Sequence, residues 1–113
     1  MKKIEAIIKP SKLSNVKDAL HEIGLSGMTV SDVKGFGRQR GQDGGLNSGL
    51  DYDDEFRVKI KIELIIEDKM VEKALEAIKN ASYSGKIGDG KIFIYTIDQV
   101  IRIRTGEKDS DAV

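Results

Sequence analysis

From Arg57 to Ile66 the chain alternates without a break, with Val58, Ile60, Ile62 and Leu64 standing between Arg57, Lys59, Lys61 and Glu63. A period of two puts the apolar side chains of a strand on one face and the charged ones on the other, so this segment predicts a half-buried β-strand. The fold must then provide a core on one side of a sheet. The other segments fit that frame. Lys3 to Lys9 holds Ile4, Ile7 and Ile8, stops at the sole proline, Pro10, and predicts a first strand. Ser11 is placed to cap a helix in which Leu13, Val16, Leu20 and Ile23 share a face, with Gly24 at its end and the sole histidine, His21, off the stripe.

Met28 to Gly37, with Thr29, Val30 and Val33, predicts a second strand running into a loop near Gly35 to Gly37. Asp68 is placed to cap a second helix, with Val71, Leu75 and Ile78 facing the core and Ala74 and Ala77 allowing close packing. Lys91 to Asp98 predicts a fourth strand. The order strand-helix-strand-strand-helix-strand is that of an α+β, ferredoxin-like (βαββαβ) unit, an antiparallel sheet with both helices on one face. At 113 residues the chain suits a single domain, 1–113. Its isoleucine-rich strands leave one sheet face uncovered, so self-association is expected, although spacing alone leaves the number of copies open.

Composition narrows the function. The chain has no cysteine, which excludes disulfide and cysteine-based zinc frameworks and suits a reducing compartment. Lys2, Lys3, Glu5 and Lys9 interrupt the start, so neither a signal peptide nor membrane insertion is expected, and a cytoplasmic location follows. Nineteen basic residues balance nineteen acidic ones, which removes the diffuse attraction that draws proteins to nucleic acid or anionic lipid. Any anion site must be local.

A flexible, functional loop is expected over about 38–56, because the stretch is rich in glycine, poor in apolar residues and far longer than a hairpin needs. Between positions 40 and 57 it sets two arginines against five acidic residues. Further on, Gly85-Lys-Ile-Gly-Asp-Gly-Lys91 nearly matches a Walker loop, but Ile92 stands where Ser or Thr would hold magnesium, and a strand follows in place of a helix. Phosphate binding remains open to it, since glycines let backbone N–H groups converge on an oxyanion while Lys86 and Lys91 add charge. A plain glycine turn with solvated lysines fits these residues equally well. Arg102 and Arg104 lie two apart, and in extended chain they would form a fork suited to polyphosphate or merely a solvated edge.

MKKIEAIIKP, GMTVSDVKGFGRQRG, VKIKIEL, SGKIGDGKIF and VIRIRTGE, in that order over nearly the full length, resemble the PII signal-transduction family. The resemblance implies a homotrimer that binds ATP or ADP in subunit clefts, with 2-oxoglutarate beside magnesium-ATP. It implies nucleotide contacts by Thr29, Gly37, Arg38 and the loop residues Lys86, Ile87, Gly88, Asp89, Gly90 and Lys91 of one subunit. Arg102 and Arg104, in a tail of about 102–113, would come from the neighbour. Gln39 matches the magnesium ligand, and Gln39, Arg40, Gly41, Lys59, Ile87 and Gly88 match the 2-oxoglutarate site. The 38–56 loop would contact a nitrogen-metabolism enzyme or ammonium transporter.

The pattern departs in places. Tyr52 matches the tyrosine uridylylated in some members, but Ser48-Gly-Leu-Asp-Tyr52 replaces Arg-Gly-x-x-Tyr, and the loop is one residue longer. Arg57-Val58 replaces Leu-Pro before Lys59. These changes admit an alternative, an energy sensor of the same family with an altered or absent 2-oxoglutarate response and a different partner. An ATP-hydrolysing enzyme would need a base-nucleophile pair beside the glycine loop, which the sequence does not offer. A nucleic-acid module would need aromatics on a basic sheet face, and three Phe and three Tyr scattered through a neutral chain do not make one.

Overall fold

The structure is a computed structural model and describes residues 1–36 and 56–113. Strand β1 (Lys2–Ile8) is followed by α1 (Leu13–Glu22), β2 (Thr29–Gly35), β3 (Arg57–Ile66), α2 (Val71–Ser82) and β4 (Lys91–Thr96). The sheet order is β2-β3-β1-β4, and each neighbouring pair is antiparallel. This is the expected ferredoxin-like arrangement. β3 runs over the whole of its alternating segment, and the fourth strand stops at Thr96, two residues short of the expected end.

Registers explain why the core lies where it does. Ile4 pairs with Leu64, Ala6 with Ile62 and Ile8 with Ile60, so the three pairs face the helices together. Val16 and Leu20 from α1, and Ala74 and Ile78 from α2, close over them. Ile4, Ile8, Val16, Leu20, Ile62 and Ile78 are the largest fully buried side chains, each contributing about 1.5–3 kcal/mol by leaving water. Leu13, Ile23, Val71 and Leu75 pack at the margin.

Both helix starts differ from expectation. Ser11 and Asp68 cap nothing: each lies in a 3-10 turn, Pro10–Lys12 or Asp68–Met70, that leads into the helix without a side-chain cap. Asp68 instead takes an ion pair from the Met1 amino group at 2.9 Å, which holds its carboxyl below the usual range. Gly24 does end α1, at φ +90°.

The open sheet face also differs from its expected character. The fully buried isoleucines all point to the helices, whereas the open side carries Lys3, Glu5, Lys61 and Glu63 together with Ile7, Ile65, Phe93 and Tyr95. Lys3 binds Glu63 at 2.7 Å and Glu5 at 3.6 Å, with its ammonium 5.4 Å from the centre of the Tyr95 ring. An occupant of this face meets satisfied charges beside exposed aromatics.

Candidate functional site

Gly90 governs the geometry at one end of the sheet. Its φ of +101° suits glycine, and a Cβ there would lie 1.7 Å from the Ile7 carbonyl oxygen, inside the backbone of β1. The chain between α2 and β4 can therefore lie directly on β1 only with glycine at this position. Gly85 and Gly88 are also at positive φ, +83° and +100°, so the loop turns back over the sheet before β4 begins.

Asp89 holds that turn closed. Its carboxylate accepts the Ser84 N–H at 2.8 Å, the Gly85 N–H at 3.0 Å and the Ser84 hydroxyl, and it pairs with Lys9 Nζ at 3.2 Å. Led by the Ser84 hydroxyl bond, these contacts hold the Asp89 carboxyl far below the ordinary carboxylate range. Lys9 also donates to Ser84 Oγ at 3.1 Å. Lys9 and Ser84 were missing from the residues the sequence singled out, and their signal is faint: a lysine ahead of the proline and a serine ahead of the first glycine.

Beside the loop lies a cavity of about 500 Å³. Its floor is the open sheet face, from Ile7, Gly35, Lys59, Lys91 and Phe93, and its walls are Phe36 and the loop residues Lys86, Gly88, Asp89 and Gly90. Lys59 is half-buried and donates to the Gly88 carbonyl at 2.8 Å. Burial lowers its pKa first, and the nearby Lys9 and Arg57 lower it further against a partial offset from Asp89. An uncovered cluster of ammonium groups above a glycine turn is a site for a polyanion. Phe36, whose ring centre is 5.4 Å from that of Phe56, joins the cavity wall to the second of the two chain ends that leave for residues 37–55.

The model of the family described as nitrogen regulatory protein P-II matches residues 1–107. The chain belongs to the PII family. A P-II protein of Rhodospirillum rubrum is 61% identical over 113 residues, covering 100% of both chains. One of Azospirillum brasilense is 57% identical with the same coverage. The solved structure of Arabidopsis thaliana PII bound to citrate superposes with a TM-score of 0.82 at 38% identity, covering 99% of this chain and 91% of that one. The protein is thus a nitrogen regulatory signalling protein, a signal transducer and not an enzyme.

Within this PII fold the expected site residues fall into two groups. Lys59, Lys86, Gly88, Asp89, Gly90 and Lys91 meet at the cavity, while Ile87 stays half-exposed and is not among its lining residues. Thr29 is not among the residues that line this cavity. It pairs with Glu63 at the far end of β2, six residues from Gly35, which is roughly 20 Å along a strand. Across the sheet Thr29 is level with Phe93 of the cavity floor, through the pairs Thr29–Glu63, Glu63–Glu5 and Glu5–Phe93.

The tail departs from expectation. Arg102 and Arg104 do not lie in extended chain: the Arg102 N–H bonds to the Glu107 carbonyl at 2.8 Å, and the Gly106 N–H to the Arg102 carbonyl at 2.7 Å, which folds 102–107 into a tight turn. An extended-chain fork is excluded. The tail closes at the end of the sheet away from the cavity, where Val113, Ile65 and Ile66 line one shallow hollow. Gly37, Arg38, Gln39, Arg40, Gly41, Ser48 and Tyr52 lie outside the described residues. Among the described residues, no helix is long and apolar enough to cross a membrane.

Proposed function

We propose that this PII protein senses adenine nucleotide, and 2-oxoglutarate with magnesium, in clefts between the subunits of a cytoplasmic homotrimer. In this reading it transmits occupancy through the 38–56 loop to a nitrogen-metabolism enzyme or transporter. The observation that carries the proposal is the cavity itself, where Lys59, Lys86 and Lys91 converge over a turn whose Gly90 leaves no space for a side chain. Such a turn offers backbone N–H groups at close range, and three ammonium groups offset the charge of a triphosphate. That Arabidopsis PII is bound to citrate, a polycarboxylate, supports reading the family's sites as anion sites.

The separation of groups within one chain supports the subunit cleft. Lys86, Gly88, Asp89, Gly90 and Lys91 sit beside the edge strand β4, Thr29 lies on the opposite edge strand β2, and the tail returns at the end of the sheet away from the cavity. A second copy laid on the open face would bring its tail and its own β2 edge to the first copy's cavity, so Thr29 is assigned to the neighbour's contribution. Ile87, Gly37 and Arg38 would complete the nucleotide contacts. Magnesium would be held by the Gln39 side-chain oxygen and by phosphate, as suits a hard cation, and would help anchor the 2-oxoglutarate carboxylate. Lys59, with Arg40, Gly41 and Gly88, would hold the distal carboxylate.

A second reading, an adenylate sensor with a weak 2-oxoglutarate response, is favoured by one observation. Lys59 is already engaged by the Gly88 carbonyl, so a carboxylate must displace a formed bond. Calorimetry with ATP and ADP, each with and without magnesium and 2-oxoglutarate, separates the two. Nucleotide binding with magnesium-dependent 2-oxoglutarate uptake supports the first reading, nucleotide binding alone supports the second, and no nucleotide binding removes both.

A further inference from the structure

Arg102 is not a free arm. Its guanidinium Nη1 meets Glu107 Oε1 at 3.0 Å, and its Nη2 reaches the Ala112 carbonyl at 3.5 Å. The carboxylate that holds it is itself held, because Thr105 Oγ1 donates to the same Glu107 oxygen at 2.8 Å. The two residues also face each other across the backbone, through the Arg102 N–H to Glu107 carbonyl bond at 2.8 Å. Gly106, at φ +75°, makes the turn between them. Arg104, two residues away, has no ion-pair partner among the described residues. One arginine of the pair is therefore tethered and the other is loose.

We infer that Glu107 is a positioning residue for nucleotide binding, fixing the Arg102 guanidinium in the pose from which it meets a phosphate of the neighbouring subunit's ligand. The inference rests on the reading that Arg102 contacts nucleotide. A guanidinium has five N–H donors in a planar fork; Glu107 and the Ala112 carbonyl engage one each, which leaves three for a phosphate. Holding a long side chain in place before binding removes part of its ordering cost, typically a factor of about 2 to 12 in affinity for one such side chain. Against that gain stands the repulsion between the carboxylate and phosphate, which water and salt screen at an exposed site. The two effects have opposite signs, so substitutions can separate them.

Glu107→Gln keeps an oxygen acceptor for Arg102 and Thr105 and removes the charge, whereas Glu107→Ala removes both. Titration of the full-length protein with ATP should give unchanged or tighter binding for Glu107→Gln, and binding weaker by roughly three- to tenfold for Glu107→Ala. A double-mutant cycle supplies the second readout, since residues acting as a unit are non-additive. Arg102→Ala should lose less affinity in the Glu107→Ala background than in the parent, while Arg104→Ala should lose the same in both. Tighter binding by both Glu107 variants would mean that the carboxylate only repels, and equal binding by both that it does nothing; either overturns the inference. If Arg102→Ala leaves ATP binding of the parent intact, the nucleotide reading of Arg102 fails and the inference falls with it, a pattern distinct from failure at Glu107 alone. Matching melting curves for the parent and the Glu107 variants confirm that the tail change has not unfolded the chain.

Discussion

Replacing Gly90 by alanine adds one methyl group in a place where two separate penalties arise. The first is conformational: φ at Gly90 is +101°, a region that costs a side-chain-bearing residue about 1–3 kcal/mol. The second is steric, because the new Cβ would lie 1.7 Å from the Ile7 carbonyl oxygen and 2.8 Å from its carbon. Those atoms belong to β1, which is paired on both sides by β3 and β4, so the strand cannot step aside without disturbing two ladders. Forcing a methyl group into packed surroundings typically costs a further 1–3 kcal/mol or so, giving about 2–6 kcal/mol in all. Gly24 is the control. It has a similar φ of +90° but nothing within 4 Å of the added Cβ, so Gly24→Ala should show the conformational penalty alone. Urea unfolding at one fixed protein concentration reads both, and with a slope of about 1–3 kcal/mol per molar the two midpoints should differ by roughly 1 M. Gly90→Ala should also weaken ATP binding, since the loop must lift from the strand, and Gly24→Ala should not. Equal midpoints for the two variants would refute the argument that the close approach to β1, rather than turn geometry, is what demands glycine.

Three further outcomes test the proposed ligand contacts and the loop that carries them. Asp89→Asn removes the charge that Lys9 and the Ser84 and Gly85 donors stabilise, so the parent should be the more stable at neutral pH. Because the native Asp89 carboxyl is held below its unfolded value, that advantage is complete above the ordinary Asp pKa of about 3.9 and shrinks as acid titrates toward the native value; urea midpoints from pH 7 to 2 test this, and a pH-independent gap refutes it. Lys59→Met removes an ammonium whose pKa burial lowers and also its bond to the Gly88 carbonyl, effects of opposite sign, so it should change stability little while 2-oxoglutarate binding, measured by calorimetry in magnesium-ATP, is lost; retained binding would exclude Lys59 from the site. Arg104→Ala should weaken ATP by one charge-assisted contact, about 1.5–3 kcal/mol, and an unchanged titration contradicts its assignment.

The alternation in β3 and the stripe through Val16 and Leu20 were legible because burial acts on every side chain of an element, and many small contributions agree. The helix caps at Ser11 and Asp68 were not, because each rests on a single hydrogen bond that other partners can take. At Asp68 the partner is the Met1 amino group, brought beside it by the pairing of β1 with β3, and nothing near Asp68 in sequence announces it. The tail failed for a related reason. Spacing of two implies a common side only in extended chain, and Gly106 with Thr105 closes a turn there instead. In the candidate site the glycines and lysines were readable, since their chemistry points outward toward an anion. The Asp89 carboxylate points inward to its own loop, and only coordinates distinguish an acidic residue that organises donors from one that merely lies among them.

That inward carboxylate bears on how a cavity of lysines can report occupancy. The Asp89 bonds fix the loop to itself and to Lys9 at the end of β1, while Lys59 on β3 ties the loop to the sheet through Gly88. The first set is internal and charge-assisted, and an anion above the glycine turn does not compete for it. The second is a single ammonium-carbonyl bond, and a carboxylate beside Lys59 competes for it directly. Ligand entry should therefore change the register between loop and β3 and leave the loop's own shape intact. β3 begins at Arg57, next to Phe56, whose ring packs on Phe36 at the end of β2, so a shift at Lys59 is felt at both chain ends that enter residues 37–55. A single half-buried bond two residues from the start of β3 is better placed to signal than the several mutually supporting contacts around Asp89. Phe56→Ala should accordingly uncouple the two: amide exchange at residues 37–55 should respond to magnesium-ATP with 2-oxoglutarate in the parent and no longer in the variant, with both ligands still bound. A full exchange response in Phe56→Ala would place the coupling elsewhere.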